Sequence, residues 1–231
     1  MTSKIAKACN DLKEGKTILI FDDENREGET DLIIPAQFVT PDHIKLMRKD
    51  GGGLIVLMVS NEIARFFKLP YLEEVYRFLG SSFPIFEEIY PSDLPYDGRT
   101  SFSISINHRD TFTGITDRDR ALTIRRFAEL AGRIGNIKDG IKAFGKEFRS
   151  PGHVPICIAR ERLLNERKGH TELSVALLKM AGLTPVACGC EMMGEDGKAL
   201  SKEEAEAYAR KKGYVFLEGR EIEEEWRKWL E

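Results

Sequence analysis

Apolar and polar positions recur along this chain with two spacings, one typical of helices and one typical of strands. Residues 5–12 have the apolar spacing of a helix, and Gly15 follows them, so a short N-terminal helix is predicted. Runs rich in β-branched and aromatic residues predict strands at 17–21, 32–34, 54–59, 101–107, 154–159, 185–191 and 215–217. Further helical patterns predict helices at 40–49, 119–131, 172–180, 201–212 and 221–230, with a short element at 137–144.

The predicted strands and helices interleave without a strict strand–helix–strand repeat. We therefore predict a layered α/β/α fold of the α+β class, with a mixed twisted β-sheet flanked by helices. No linker or repeat divides residues 1–231, so a single compact domain is expected. A dinucleotide-binding fold is disfavoured, because the glycines at 51–53 precede a strand rather than a helix. Residues 66–97 mix aromatics with four prolines and are interpreted as a surface excursion.

Overall charge argues against several classes of partner. The formal net charge is -3, from 35 basic and 38 acidic residues, so no broad basic surface for nucleic acid or an anionic membrane is expected. The longest apolar run, at 54–59, is too short to cross a bilayer, and the N-terminus lacks the apolar core of a signal peptide. We expect a cytoplasmic protein. The four cysteines are expected to be buried thiols rather than metal ligands.

Six of the ten residues at 22–31 are carboxylates, and they lie between two predicted strands. Like charges this close raise each other's pKa unless a cation or solvent relieves them. A divalent cation with oxygen ligands is one explanation, and Gly28 would let the backbone bring Glu27 and Glu29 together. The alternative is a solvated acidic turn, which composition alone favours.

Two of the four histidines occur at positions that suit metal binding or proton transfer. His43 and His108 are interpreted as structural or solvent-exposed. His153 and His170 each follow a glycine, at positions where a loop meets a predicted strand or helix. A histidine so placed can bind a metal or transfer a proton, although each could equally be a turn residue.

The start of the helix predicted at 172 combines features that suit a phosphate group. Free amide groups at a helix N-terminus attract anions, and Arg167 could grip two phosphate oxygens. An ordinary cap, with Thr171 as N-cap and Glu172 in the first turn, is the alternative. That alternative does not explain Arg167, Gly169 and His170 together. Glu191, at the end of a predicted strand, is a weaker candidate for the same site.

Five motifs, in order along nearly the whole chain, resemble those of the 3,4-dihydroxy-2-butanone 4-phosphate synthases. They are DDENREGETDL at 22–32, TGITDRDRALTI at 113–124, SPGH at 150–153, GHTE at 169–172 and CE at 190–191. Any one of them alone would be weak, whereas five in order are specific. Residues 71–96 depart from the family pattern and are interpreted as a lid, an interface element or an archaeal-type elaboration.

The resemblance implies a role for each matching residue. Glu27 and His170 correspond to ligands of a divalent cation, Mg²⁺ or Mn²⁺, with two ions possible. Three residues correspond to catalytic positions: His153, Glu191 and Glu29. Substrate contacts correspond to Arg26, Glu27, Asp31, Thr113, Arg167, Lys168, Gly169, His170, Thr171 and Glu191. Which catalytic residue is the first base stays open.

The implied activity is conversion of D-ribulose 5-phosphate into 3,4-dihydroxy-2-butanone 4-phosphate and formate by a homodimer whose site lies at or near the subunit interface. A fused cyclohydrolase domain is not expected, so one activity is predicted. Two rival hypotheses remain open. Another metal-dependent pentose-phosphate isomerase or aldolase would release no formate. A nucleotide- or RNA-binding module would need a basic cleft, whereas residues 22–31 are acidic.

Overall fold

The computed structural model describes residues 1–231, and its centre is one sheet of seven strands. The strands are β1 (Ile18–Phe21), β2 (Thr30–Pro35), β3 (Val56–Val59), β4 (Phe102–His108), β5 (Phe148–Ile158), β6 (Val186–Glu191) and β7 (Phe216–Glu218). Their order across the sheet is β4-β5-β3-β6-β2-β1-β7. The pairs β1–β7 and β3–β5 are parallel, and the other pairs are antiparallel. The sheet is therefore mixed, as the sequence predicted.

Ten helices connect or cover the strands. They are α1 (Ser3–Lys13), α2 (Pro41–Leu46), α3 (Asn61–Phe67), α4 (Leu72–Leu79), α5 (Ile85–Glu88), α6 (Asp117–Ala131), α7 (Gly140–Glu147), α8 (His170–Met180), α9 (Lys202–Lys212) and α10 (Gly219–Leu230). A π-helical turn at Met47–Gly51 extends α2. None of the helices is both long and apolar enough to span a membrane.

Each face of the sheet carries its own apolar core, because side chains alternate along a strand. In β3, Leu57 and Val59 join a cluster that includes buried residues of α2, α3, α6 and α9. Val56 and Met58 of the same strand join a second cluster with α1, α8 and α10. Helices thus cover both faces, which confirms the predicted α/β/α layering. All four cysteines are buried free thiols, also as predicted.

The region that sequence periodicity could not resolve contains three helices. The chain forms α3 directly after β3, and then α4 and α5 in an excursion that leaves several apolar side chains exposed. Four of them are Phe78, Phe83, Ile85 and Ile89. The predicted surface excursion is therefore present, but it is helical, and its last residues return to the sheet beside β4.

Candidate active site

The acidic loop between β1 and β2 is folded around the carboxylate of Asp22. Asp22 Oδ1 accepts a hydrogen bond from the main-chain N–H of Glu29 (3.0 Å), and Oδ2 accepts one from that of Glu27 (3.2 Å). The Arg26 guanidinium also donates to Oδ2, at 2.9 Å. Gly28 turns the backbone with a φ of 66°, as expected. This ordered loop directs both Glu27 and Glu29 into one cleft, so it is not a solvated acidic turn.

Antiparallel pairing of β2 with β6 adds two more carboxylates to this cleft. Asp31 lies opposite Glu191 in the register, and both side chains line the cleft with Glu27 and Glu29. Asp31 Oδ1 is buried without a hydrogen-bond partner. Burial, and then the nearby carboxylates, raise the pKa of Asp31 to about 8, and the same causes raise the pKa of Glu29. Four crowded carboxylates and a buried free oxygen indicate a place for a cation.

His170, the first residue of α8, faces these carboxylates. Its Nδ1 lies 3.3 Å from Glu27 Oε2, and its Nε2 lies 3.2 Å from the carbonyl oxygen of Glu29 and 3.7 Å from Asp31 Oδ1. Burial opposes protonation of the ring, but Asp31 and Glu27 outweigh it and raise the pKa of His170 to about 10. Ligand atoms of Asp22, Glu27 and His170 lie within 4.8 Å of one another.

The donors of this cluster fit a hard divalent cation, since carboxylate oxygens and one imidazole nitrogen are ligands that Mg²⁺ and Mn²⁺ accept. Asp22 is already engaged by the loop it folds, because both of its oxygens accept hydrogen bonds. Glu27 Oε2 and His170 Nδ1 contact side chains only, namely each other and, for Glu27, Arg26. The free oxygen of Asp31 lies near the other ring nitrogen, 3.7 Å from His170 Nε2. Glu27 and His170 are therefore the better pair of ligands.

Residues around the N-terminus of α8 form another part of the cleft wall. Gly169 is the N-cap of α8, so the alternative explanation of Thr171 as an ordinary N-cap is wrong. Thr171 lies in the first turn and lines the cleft together with Arg167. The guanidinium of Arg167 folds back over Gly169, where any Cβ would overlap it. A larger residue at this position would displace the guanidinium from the helix terminus.

A carboxylate of the excursion engages both arginines of the cleft. Asp97 Oδ2 lies 2.6 Å from Arg26 Nη2, 2.8 Å from Arg167 Nε and 2.7 Å from Arg167 Nη2. Arg167 Nη1 also donates to Glu172, at 2.6 Å. Tyr96 lies against Arg26, with the guanidinium carbon 5.2 Å from the ring centroid. Sequence reasoning missed Asp97 and Tyr96, because they lie in a segment with no readable periodicity.

The cleft has a volume of about 340 Å³ and brings together most of the predicted site residues. Those that line it are Arg26, Glu27, Glu29, Asp31, Arg167, His170, Thr171 and Glu191. The rest of its wall comes mainly from Val56, Met58, Cys157 and the residues around Tyr96 and Phe102. One concave site with both acidic and basic sides suits a small phosphorylated substrate that binds a cation.

Four of the predicted site residues do not line this cleft, and one of them, Gly169, is the N-cap of α8. Lys168 points to the surface, where it pairs with Glu223 at 2.5 Å, so the geometry gives no support to its predicted contact with substrate. His153 and Thr113 are exposed; His153 lies beside Asn107 near the end of β4, and Thr113 lies in the loop that follows β4. Cleft residue Phe102 is at the other end of β4, five residues before Asn107, which holds His153. That separation is roughly 16 Å at the rise of an extended strand.

Comparison with known proteins decides the family. The sequence profile of 3,4-dihydroxy-2-butanone 4-phosphate synthase matches residues 6–225. The chain belongs to the 3,4-dihydroxy-2-butanone 4-phosphate synthase family. A 3,4-dihydroxy-2-butanone 4-phosphate synthase of Archaeoglobus fulgidus is 49% identical over 95% of this chain and 92% of its own length. One of Methanothermobacter thermautotrophicus is 46% identical over 94% and 93%.

Longer relatives and solved structures agree with this membership. Riboflavin biosynthesis protein RibBA of Bacillus cereus is 34% identical over 85% of this chain but only 42% of its own length. A cation-free 3,4-dihydroxy-2-butanone 4-phosphate synthase structure has a TM-score of 0.76 and 26% identity, covering 97% of each chain. A second structure, in complex with two magnesium ions, has a TM-score of 0.73 and 28% identity, covering 94% of each chain. The resemblance seen in the five motifs is confirmed.

Proposed function

We propose that this member of the 3,4-dihydroxy-2-butanone 4-phosphate synthase family is a lyase of riboflavin biosynthesis. It converts D-ribulose 5-phosphate into L-3,4-dihydroxy-2-butanone 4-phosphate and formate. The observation that carries the proposal is the convergence of Glu27, His170 and Asp31 with Arg167 and Thr171 in one cleft. A cation site and a phosphate site in the same cleft would hold a short sugar phosphate at two points.

Glu27 and His170 would hold the divalent cation, either Mg²⁺ or Mn²⁺, with one or two ions in the cleft. The cation supplies electrostatic stabilisation of negative charge that develops on the sugar oxygens. Titration calorimetry with each metal would give the number of ions and the preferred metal. Glu27→Gln removes a charged ligand with little change of shape, so metal affinity should fall.

The chain's own groups orient the substrate and move its protons. The amides at the start of α8, with Thr171 and Arg167, would hold the phosphate. Glu191 is fixed by the main-chain N–H of Leu54, which donates to Oε2 at 2.7 Å, and its Oε1 makes no hydrogen bond within the chain. That free oxygen is available to take a proton from a sugar carbon, and Glu29 faces the same cleft.

His153 and Thr113 would act in the cleft of a second copy of the chain in a homodimer. Within one chain they lie roughly 16 Å from the cleft along β4, by the rise of an extended strand. The side chains that flank Thr113 support an interface there, because Phe112 is 94% exposed and Ile115 is 50% exposed. Covering these side chains with a second chain would remove apolar surface from water, which favours association.

The formate assay tests the lyase proposal. Purified protein is incubated with D-ribulose 5-phosphate and Mg²⁺, with and without a chelator. Formate that disappears with the chelator, and in Glu27→Gln and His170→Ala, would support the proposal. Glu24→Gln is the matched control, because Glu24 lies in the same loop with its side chain 76% exposed and outside the cleft. Turnover without formate would indicate an isomerase or aldolase instead.

Complementation between inactive variants tests the shared site. If the site spans two chains, co-expressed His170→Ala and His153→Ala chains should regain activity in mixed dimers. Random pairing leaves one intact site in half of the dimers, so about a quarter of wild-type activity is expected. If both residues act within one chain, the mixture stays inactive. We also propose a cytoplasmic location and no nucleic-acid partner, which cell fractionation and an electrophoretic shift assay with tRNA would check.

A further inference from the structure

The pairing of β4 with β5 is interrupted beside His153. Ile106 pairs with Val154, but the next residue of β4, Asn107, pairs with Arg149. Residues 150–153 therefore have no register partners in β4. Side chains of β4 hold them instead. Ser105 Oγ accepts from the main-chain N–H of Gly152 at 3.2 Å, and Asn107 Oδ1 accepts from that of His153 at 2.9 Å.

The second contact fixes the orientation of the Asn107 amide. A main-chain N–H needs an acceptor, so the amide atom 2.9 Å from His153 N must be oxygen rather than nitrogen. Asn107 Nδ2 is then 3.1 Å from Nδ1 of the His153 ring, closer than Oδ1, which is 3.4 Å away. An amide NH₂ only donates. Nδ1 of the neutral ring is therefore the acceptor, and Nε2 carries the proton.

Asn107 is buried, with 5% of its surface exposed, although it lies between two exposed site residues. The turn after Thr113 packs onto its amide so closely that a Cβ at Gly114 would overlap Asn107. The same turn is held by Asp119, which accepts from the Gly114 N–H at 2.9 Å. One buried amide thus links the segments that carry Thr113 and His153, and its hydrogen bonds within the chain all go to His153.

We propose that Asn107 is a positioning residue that holds His153 as the Nε2–H tautomer. His153 would then donate a hydrogen bond to a substrate oxygen and would not be the base that takes the first proton. When a carboxylate removes a proton from the sugar carbon, the electron pair of that C–H bond moves towards the adjacent carbonyl oxygen. The Nε2–H group stabilises the negative charge that forms there. This assignment rests on the proposed lyase function.

Asn107→Asp is the decisive variant. A carboxylate has nearly the shape of the amide and can still accept from the His153 main-chain N–H, but it cannot donate to Nδ1. Nδ1 should gain the proton and Nε2 should lose it. Ser105→Ala is the matched control, because it removes the neighbouring link to the same segment without reaching the His153 ring.

Two measurements are made on each protein at about pH 9, where histidine rings are usually neutral. Nitrogen-15 NMR of labelled, metal-free protein gives the protonation of each ring nitrogen, with His153 signals assigned by their loss in His153→Gln. The formate assay with Mg²⁺ gives kcat and KM. We expect Asn107→Asp to reverse the tautomer and lower kcat roughly 10²- to 10⁴-fold, with little change in KM. Ser105→Ala should keep the wild-type tautomer and a kcat close to that of wild type.

A wild-type spectrum with the proton on Nδ1 would overturn the proposal. A reversed tautomer in Asn107→Asp with kcat equal to that of Ser105→Ala would show that His153 does not act as a donor. Absence of formate from the wild-type protein would reject the lyase function instead. In that case the spectra would still decide whether Asn107 sets the tautomer of His153.

Discussion

Substitution of Asp97 by asparagine should loosen the excursion and expose the two arginines of the cleft. One oxygen of Asp97 contacts both Arg26 and Arg167, at 2.6–2.8 Å. Asparagine keeps the size of the side chain and one oxygen, but it removes the negative charge. The carboxylate occupies arginine donors that would hold an anionic substrate, so it should compete with phosphate for them.

The expected free-energy change follows from burial and from the remaining partners. Removing one partner of a buried ion pair costs about 3–5 kcal/mol. Here each arginine keeps another carboxylate, because Arg26 also pairs with Asp22 and Arg167 also pairs with Glu172. The side chains of Arg26, Arg167 and Asp97 are 9–13% exposed, so solvent screens them little. We therefore expect a loss of about 1–2 kcal/mol, or a factor of roughly 5–30 in the opening equilibrium.

Limited proteolysis and calorimetry with inorganic phosphate measure the two consequences. Cleavage within residues 71–97 should become faster, and the dissociation constant for phosphate should fall, both by roughly that factor of 5–30. Asp93→Asn makes the same charge change in an exposed residue of the same segment and should alter neither quantity. The reasoning is refuted if Asp97→Asn binds phosphate and resists cleavage as Asp93→Asn does.

Three further predictions concern stability. Mg²⁺ at 100 times its dissociation constant should stabilise the protein by about 2.7 kcal/mol, roughly 5–11 °C in Tm, and Glu27→Gln should abolish the shift in a thermal scan. Phe127→Ala should lower the free energy of unfolding in urea by about 3–5 kcal/mol, because Phe127 is fully buried among other aromatic rings. A single unfolding transition would support one domain, and two transitions would contradict a single domain. Asp11→Asn should lose about 0.5–1 kcal/mol at pH 7. Burial alone would raise the pKa of Asp11, but the ammonium groups of Lys7 and Lys16 lower it. Asp11 therefore contributes to stability above its unfolded pKa of about 3.9, and this contribution is lost as the pH falls through its folded pKa. Denaturation of the wild type and the variant should show a larger loss of unfolding free energy at pH 7 than at pH 3. An equal loss at the two pH values would refute this prediction.

The sequence predicted the strands that have a strong apolar pattern. It misplaced the ends of strands that contain polar residues. The strand predicted at 32–34 begins at Thr30, because Thr30 and Asp31 are buried polar residues that continue β2 into the cleft. The strand predicted at 154–159 begins at Phe148, because residues 150–153 leave the ladder and carry no alternation. In both cases the missed residues belong to a predicted motif, and their polarity serves the site rather than the core.

The cation side of the site could be predicted more completely than the phosphate side. A dense run of carboxylates and a glycine-linked histidine are local signals, and the fold brings Glu27 and His170 together as expected. The contact of Asp97 with Arg26 spans 71 residues and depends on how the excursion returns to the sheet. No local sequence pattern indicates where the excursion returns to the sheet. The separation of His153 from the cleft is likewise a property of the sheet order, which periodicity does not give.

The position of β1 between β2 and β7 has a consequence for the protein while it is being made. About 200 residues separate β1 from β7 along the chain. At roughly 5–20 residues per second, β1 emerges about 10–40 s before its outer neighbour. During that interval one side of an apolar strand, Ile18–Phe21, has unpaired main-chain groups that can pair with another chain. Pairing of β7 with β1 therefore removes a site of aggregation once β7 has been made, in addition to completing the sheet.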